Sequence, residues 1–145
     1  GIQAMIDPNQ VGEGELTDEE QIYKENILDH YKNPRNSGSL EDYNLRHFEF
    51  NPLCGDRLEL FIKFEGEQVS SILFIGTGCA ISQASMSMLT EAIKGKSIDE
   101  LKQIKQGDLL SMLGIPISVV RMKCALLSLK VLERGLEKME SVVYV

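Results

Sequence analysis

Residues 57–75 read RLELFIKFEGEQVSSILFI, and this stretch decides the fold. In its first eight residues an apolar side chain occupies every second position, which is typical of a strand with one buried face. Residues 65–67 (EGE) are a turn signal, and residues 69–75 are the predicted return strand. Residues 46–50 alternate as well and indicate one more short strand. The sequence therefore predicts a three-stranded antiparallel sheet.

Helices are predicted on both sides of these strands. Thr17 and Glu20 have the spacing of a capping box, so a first helix should begin at Thr17 and end before Pro34. After the strands, apolar residues recur at helical spacing over residues 80–94. The remaining predicted helices are two short ones, near Ser97 and Gly107, and a long amphipathic one with Pro116 in its first turn.

The element order and the length indicate one domain. A helix, three strands and then several helices form an α+β layout, in which the helices pack on one face of the sheet. The chain has 145 residues, close to the usual size of a single domain. Residues 1–16 show little periodicity and are expected to form a mobile tail. The folded domain is therefore predicted to span residues 17–145.

The composition argues against several classes of partner. Lys and Arg number 15 against 22 Asp and Glu, and the net charge of -7 argues against binding to nucleic acid or to an anionic membrane. No apolar run of about 18 residues and no signal-peptide pattern is found. We therefore expect a cytoplasmic protein, in which three cysteines suit metal or thiol chemistry better than disulfides.

Each cysteine stands beside a feature that favours a thiolate or a metal ion. Cys54 is separated from Asp56 by a glycine, which can turn the thiol and the carboxylate into the same space. Cys79 follows a glycine-rich junction at a helix start, where the helix dipole lowers the pKa of a thiol. Cys124 has Arg121 three residues earlier on one helix face, where a guanidinium favours the thiolate. Taken singly, each cysteine is equally well explained as a buried apolar side chain or a turn residue.

The spacing of the cysteines excludes several kinds of metal site and redox motif. They are 25 and 45 residues apart, and no Cys-x-x-Cys pair exists, which excludes zinc fingers, zinc ribbons and thioredoxin-type motifs. The ligands must therefore come from a loop, a helix start and a helix body that meet in the folded chain. Cys54, Cys79, Cys124 and Asp56 form a predicted four-ligand set that suits zinc or an iron–sulfur centre.

Several segments together resemble the IscU/NifU-N/SufU family of iron–sulfur cluster assembly scaffolds. They are residues 27–38 (ILDHYKNPRNSG), 51–56 (NPLCGD), 76–85 (GTGCAISQAS), 89–96 (LTEAIKGK) and 121–125 (RMKCA). The resemblance implies a SufE/NifU-like α+β sandwich with a three-stranded antiparallel sheet. It also implies that Cys54, Cys79 and Cys124 are ligands of a [2Fe-2S] cluster, with Asp56 beside them.

The resemblance also implies partners. Members of this family receive persulfide sulfur from a cysteine desulfurase, build a [2Fe-2S] cluster and hand it to acceptor proteins, and many bind zinc at the same ligands. A cluster with open positions makes a homodimer around it an expectation. The segment that Hsp70-type chaperones bind in IscU would fall at residues 115–119 (IPISV), where its motif is absent, so dependence on such a chaperone is not expected.

The chain mixes features of two branches of the family. IscU proteins usually have His before the last cysteine, but this chain has Lys123, which can steady an anionic cluster and is a poor ligand at neutral pH. Arg121 and Lys123 resemble SufU, whereas residues 98–116 are too short for the insertion of SufU. Two functions stay open: a [2Fe-2S] scaffold rather than an enzyme, which the missing insertion favours, and a zinc-dependent sulfurtransferase with Cys124 as candidate sulfur acceptor. A domain with structural zinc or no metal is the third alternative.

Overall fold

The computed structural model describes residues 15–142 of the chain, with side chains as far as residue 140. Residues 1–14 of the predicted mobile tail lie outside this range, so the tail stays a prediction. The described elements are, in chain order, α1 (Asp18–Lys32), β1 (Leu45–Asn51), β2 (Asp56–Glu65), β3 (Gln68–Thr77), α2 (Ala80–Ile93), α3 (Ile98–Lys102), α4 (Gln106–Leu113) and α5 (Val119–Val142).

The predicted three-stranded antiparallel sheet is confirmed. Its order is β1-β2-β3, and β2 pairs antiparallel with both neighbours. The β2–β3 turn is tight because Gly66 and Glu67 both have positive φ, as the favoured two-residue hairpin turns require. At the other end of β2, Asn51 pairs with Asp56, which leaves residues 52–55 as a short hairpin loop.

The helices lie on one face of the sheet, as predicted. Buried residues of β2 such as Leu58, Leu60 and Ile62 pack into one core with residues of α2 and α5. The other face is partly exposed, and Phe48 and Phe50 on it are each more than half exposed. There the Arg46 guanidinium bonds to the carboxylate of Glu59 at 2.7 Å and lies over a neighbouring aromatic ring.

The ends of the helices follow local capping chemistry. The capping box at Thr17 is present, with Thr17 and Glu20 bonded reciprocally, and α1 ends before Pro34 as predicted. The prediction that Pro116 lies in the first turn of the last helix is wrong, since α5 begins at Val119. The Oγ and the carbonyl of Ser118 accept a hydrogen bond from the Arg121 N–H, at 3.3 and 3.1 Å, so a serine caps this helix.

Two buried serines hold α2 against α5. Ser85 Oγ donates to the Ala125 carbonyl oxygen at 2.9 Å and lies 2.7 Å from Ser128 Oγ. Both hydroxyls are fully buried, and their small side chains allow the two helix backbones to approach closely. This contact places the beginning of α5 beside the beginning of α2. Among the described residues, no helix is long and apolar enough to cross a membrane.

Candidate metal centre

The predicted ligands come from three different kinds of element. Cys54 lies in the hairpin loop 52–55, and the glycine after it has a left-handed φ of 69° that turns the chain into β2. Asp56 is the first residue of β2, and Cys79 is the N-cap of α2. Cys124 lies in the second turn of α5. The loop, the strand, the helix start and the helix body each supply one side chain.

The fold brings these side chains to one place. Ligand atoms of Cys54, Asp56 and Cys124 all lie within 4.8 Å of one another. The sulfur atoms of Cys54 and Cys124 are 2.8 Å apart. The Cys79 sulfur lies outside this group of three but reaches its edge, 3.9 Å from Asp56 Oδ2. Sulfur atoms beside a carboxylate oxygen are a donor set that fits a soft or borderline cation such as zinc or iron.

The site is closed on one side and accessible on the other. Asp56 and Cys124 are fully buried, whereas Cys54 and Cys79 are half-buried. Next to Cys54, the apolar side chain of Leu53 is 75% exposed. The inner ligands are therefore fixed by the core, and the outer sulfur atoms can be reached from solvent.

Asp56 has a structural task in addition to its place among the ligands. The N-cap residue Cys79 provides no side-chain cap for α2. Instead, Asp56 Oδ1 accepts a hydrogen bond from the Cys79 N–H at 2.8 Å. A carboxylate at this position satisfies an unpaired amide and interacts favourably with the positive end of the helix dipole. One oxygen of Asp56 thus holds the start of α2, and the other faces the Cys79 thiol.

Gly78 makes this approach of Asp56 possible. Its φ of 118° is disfavoured for any residue with a side chain. A Cβ atom at this position would overlap Asp56 Oδ1 and lie 2.7 Å from the Asp56 Cα. The glycine before Cys79 is therefore required by the carboxylate that caps the helix.

The Cys124 thiol lies in buried surroundings beside other acidic groups. The pKa of the Cys124 thiol is raised, first by burial and then by its hydrogen bonds to Cys54 and Asp56. Burial and the neighbouring acidic groups determine this direction in the structure. A bound cation favours the thiolate form in such a place, because metal ions deprotonate the thiols that coordinate them.

The two supporting residues are not part of the ligand group. Arg121 is half-buried one turn before Cys124, and its backbone N–H bonds to Ser118. Lys123 lines an adjoining groove of about 600 Å³ together with Phe50 and other residues of β1 and α5. The roles predicted for Arg121 and Lys123 at the site stay predictions.

Asn51 belongs to the site but was not predicted from the sequence. It is the last residue of β1, is 6% exposed, and donates from Nδ2 to the Cys124 sulfur at 3.6 Å. The alternation before Asn51 and the proline after it indicate the end of a strand. An Asn at such a position is usually interpreted as a turn residue and not as part of a site. The contact to α5 bridges 73 positions of sequence, and no local pattern indicates it.

The fold and the site define an α+β domain with a group of cysteine and carboxylate side chains that could hold a metal ion. The sequence matches the family described as NifU-like N-terminal domain over residues 22–143, and the chain belongs to this family. The predicted resemblance to the IscU/NifU-N/SufU group is therefore confirmed.

Proteins similar to this chain are described either as a sulfurtransferase or as cluster assembly scaffolds. The zinc-dependent sulfurtransferase SufU of Bacillus subtilis (strain 168) is 42% identical over 136 residues, which cover 82% of this chain and 92% of SufU. The iron–sulfur cluster assembly scaffold protein IscU of Escherichia coli (strain K12) is 39% identical over 110 residues, which cover 73% of this chain and 84% of IscU. The alignment with SufU is longer than the part of this chain that it covers, so SufU has residues there without a counterpart here.

The fold is shared with a solved structure of the same group. A crystal structure of a scaffold-type protein of the SUF iron–sulfur cluster assembly system from Fervidobacterium islandicum AW-1 has a TM-score of 0.68 and 30% identity. The match covers 80% of this chain and 97% of the other chain. The predicted α+β sandwich is confirmed by this similarity as well as by the sheet.

We expect Gly78→Ala to lower the free energy of unfolding by about 2–4 kcal/mol, from the strained backbone and the overlap with Asp56. Chemical denaturation measures this loss, and zinc titration should show weaker binding. Gly107→Ala is the matched control, because Gly107 lies in α4 with nothing within 4 Å of an added Cβ. Equal stability of the two variants would contradict the role given to Gly78.

Proposed function

We propose that the protein is a scaffold on which [2Fe-2S] clusters are assembled. Sulfur comes from a cysteine desulfurase, and the finished cluster passes to acceptor proteins. One observation carries the proposal: cysteines from a loop, a helix start and a helix body meet beside a buried carboxylate, with sulfur atoms 2.8 Å apart and a sulfur–oxygen distance of 3.9 Å. The names of the relatives support the same general function.

The half-open form of the site supports a transferable cargo. Structural zinc sites are closed by four protein ligands, whereas sites that exchange a ligand keep one side accessible. Here Cys124 and Asp56 form the closed side, and Cys54 and Cys79 form the accessible side. Sulfur and iron can reach the two outer thiols, and an acceptor thiol can approach from the same direction.

Asp56 supplies the hard ligand of the set. A carboxylate binds soft iron less strongly than a thiolate does, so it is the ligand most readily replaced during transfer. Its Oδ1 accepts a hydrogen bond from the Cys79 N–H at 2.8 Å. Oδ2 is therefore the atom that would bind and release the metal, and the strand need not move. Asp56 remains in place as the cap of α2 while the cargo arrives or leaves.

A zinc-dependent sulfurtransferase is the second candidate function. Two observations favour it, namely the 42% identity to SufU and the Lys123 that replaces the usual histidine. The predicted sulfur acceptor Cys124 fits this function poorly, because its side chain is fully buried. The half-buried Cys54, in an exposed loop, is better placed to accept sulfur from the persulfide of a desulfurase.

Anaerobic purification followed by analysis of iron, zinc and acid-labile sulfide separates the two functions. For the scaffold we expect a coloured protein with iron and sulfide in equal amounts after incubation with a cysteine desulfurase, cysteine, ferrous iron and dithiothreitol, which supplies the electrons that reduce persulfide sulfur to sulfide. Cys54→Ser, Cys79→Ser and Cys124→Ser should each lose most of this metal, since a soft ligand is removed. A colourless protein that keeps one tight zinc ion and accepts sulfur would contradict the scaffold and support the sulfurtransferase.

Asp56→Asn tests the carboxylate without removing the cap of α2, because an amide oxygen can still accept from the Cys79 N–H. We expect this variant to load a cluster and to transfer it to an acceptor about tenfold more slowly, the scale on which altered surroundings of a metal change activity. The rate of transfer is measured from the change in the circular-dichroism bands of the cluster.

The matched control is Asp108→Asn. Asp108 accepts a hydrogen bond from the Lys105 N–H at 2.8 Å and so caps α4 through its carboxylate, outside the group of ligands. It should transfer at the wild-type rate. Wild-type transfer by an equally loaded Asp56→Asn protein would leave Asp56 with a capping role alone.

A further inference from the structure

We propose that Asn51 is a positioning residue, whose side chain fixes the Cys54 loop against α5 and thereby sets the distance between the Cys54 and Cys124 sulfur atoms. The inference rests on the proposed function in one respect, namely that these two sulfur atoms act together as ligands. The contacts of Asn51 stand independently of that function.

One half of the Asn51 amide holds the loop. Asn51 Oδ1 accepts a hydrogen bond from the Leu53 N–H at 3.3 Å, and the Asn51 carbonyl oxygen accepts one from the Cys54 N–H at 3.3 Å. Two successive backbone amides of the loop 52–55 are therefore directed at one residue. Asn51 itself is fixed, because it belongs to β1 and pairs with Asp56 in the sheet.

The other half of the amide reaches across to α5. Asn51 Nδ2 donates to the Cys124 sulfur at 3.6 Å, in a place where both side chains are buried. The same side chain thus contacts the loop that carries Cys54 and the sulfur atom of Cys124, and these two sulfur atoms lie 2.8 Å apart. Removing the amide would leave the Leu53 N–H without its acceptor and the Cys124 sulfur without the Asn51 donor, while the backbone bond from the Cys54 N–H remains.

An amide suits this place for a chemical reason. A coordinating thiolate carries negative charge, and an N–H donor stabilises that charge without adding another ligand. Asp56, on the facing position of β2, is an acceptor when it is ionised and cannot take this part. Asn51 therefore supplies the hydrogen-bond donor and Asp56 supplies the carboxylate, at paired positions of β1 and β2.

A chemical probe can test the positioning without any metal. In the full chain with Cys79→Ser, stripped of metal by a chelator, diamide oxidises the two remaining thiols. The Cys54 and Cys124 thiols lose two protons and two electrons, one S–S bond forms, and the azo group of diamide is reduced to a hydrazine. Quenching with iodoacetamide and mass spectrometry of the digest give the rate of formation of the disulfide.

We expect Asn51→Ala to slow this reaction about threefold to tenfold, the range that the loss of one or two hydrogen bonds gives. Asn44→Ala is the matched control, since Asn44 Oδ1 also accepts from a backbone amide, that of Phe64 at 2.7 Å, at the opposite end of β1 from Asn51. Thermal unfolding of both variants shows whether the fold is kept.

Cobalt(II) supplies the second readout, in chains that keep all three cysteines. The sulfur-to-cobalt charge-transfer absorption should change in Asn51→Ala and stay unchanged in Asn44→Ala. Wild-type oxidation rates and spectra in Asn51→Ala would overturn the proposal, and so would an equal loss in both variants accompanied by an equal fall in melting temperature. If the wild-type protein binds no cobalt, the proposed function fails, while the oxidation rates still decide the role of Asn51.

Discussion

The hydrogen bond between the Asp56 carboxylate and the Cys79 N–H, 2.8 Å long, joins the sheet to the helix layer at the site. It connects the first residue of β2 to the residue that begins α2, and it is buried at the Asp56 end. A buried carboxylate without partners is costly, so this contact stabilises the folded chain. Gly78 exists as a glycine because the carboxylate lies where its Cβ would be.

This constraint explains why the ligands converge. Once Asp56 is fixed at the start of α2, Cys79 is fixed with it, and the short loop 52–55 cannot carry Cys54 far away. Cys124 lies on α5. The hydrogen bond from the buried Ser85 hydroxyl of α2 to the Ala125 carbonyl oxygen holds α5 against α2. The result is an asymmetric site, with a rigid inner side and an accessible outer side, and this asymmetry suits the binding and release of a cargo.

Much of the fold could be predicted because its signals are local. The alternation over residues 57–64 and the capping box at Thr17 involve neighbours in sequence, and both elements form where they were expected. Pro116 was misplaced because a proline near a helix start does not say which residue caps it, and Ser118 does so.

The site could be predicted in its residues but not in its geometry. The three cysteines and the carboxylate stand out by type and spacing, and the fold brings them together. The capping role of Asp56 joins positions 23 residues apart, and the donor role of Asn51 joins positions 73 apart, so neither leaves a pattern in the sequence. The influence of Arg121 on Cys124 stays a prediction, and burial, which raises the pKa of that thiol, could not be predicted from helical spacing.

X-ray absorption spectroscopy of the zinc-loaded protein tests the central claim, that one carboxylate and three thiols form a single centre. We expect a four-coordinate shell of three sulfur atoms at about 2.3 Å and one oxygen at about 2.0–2.2 Å. A shell with two or fewer sulfur atoms, or with an imidazole nitrogen in place of the oxygen, would contradict it.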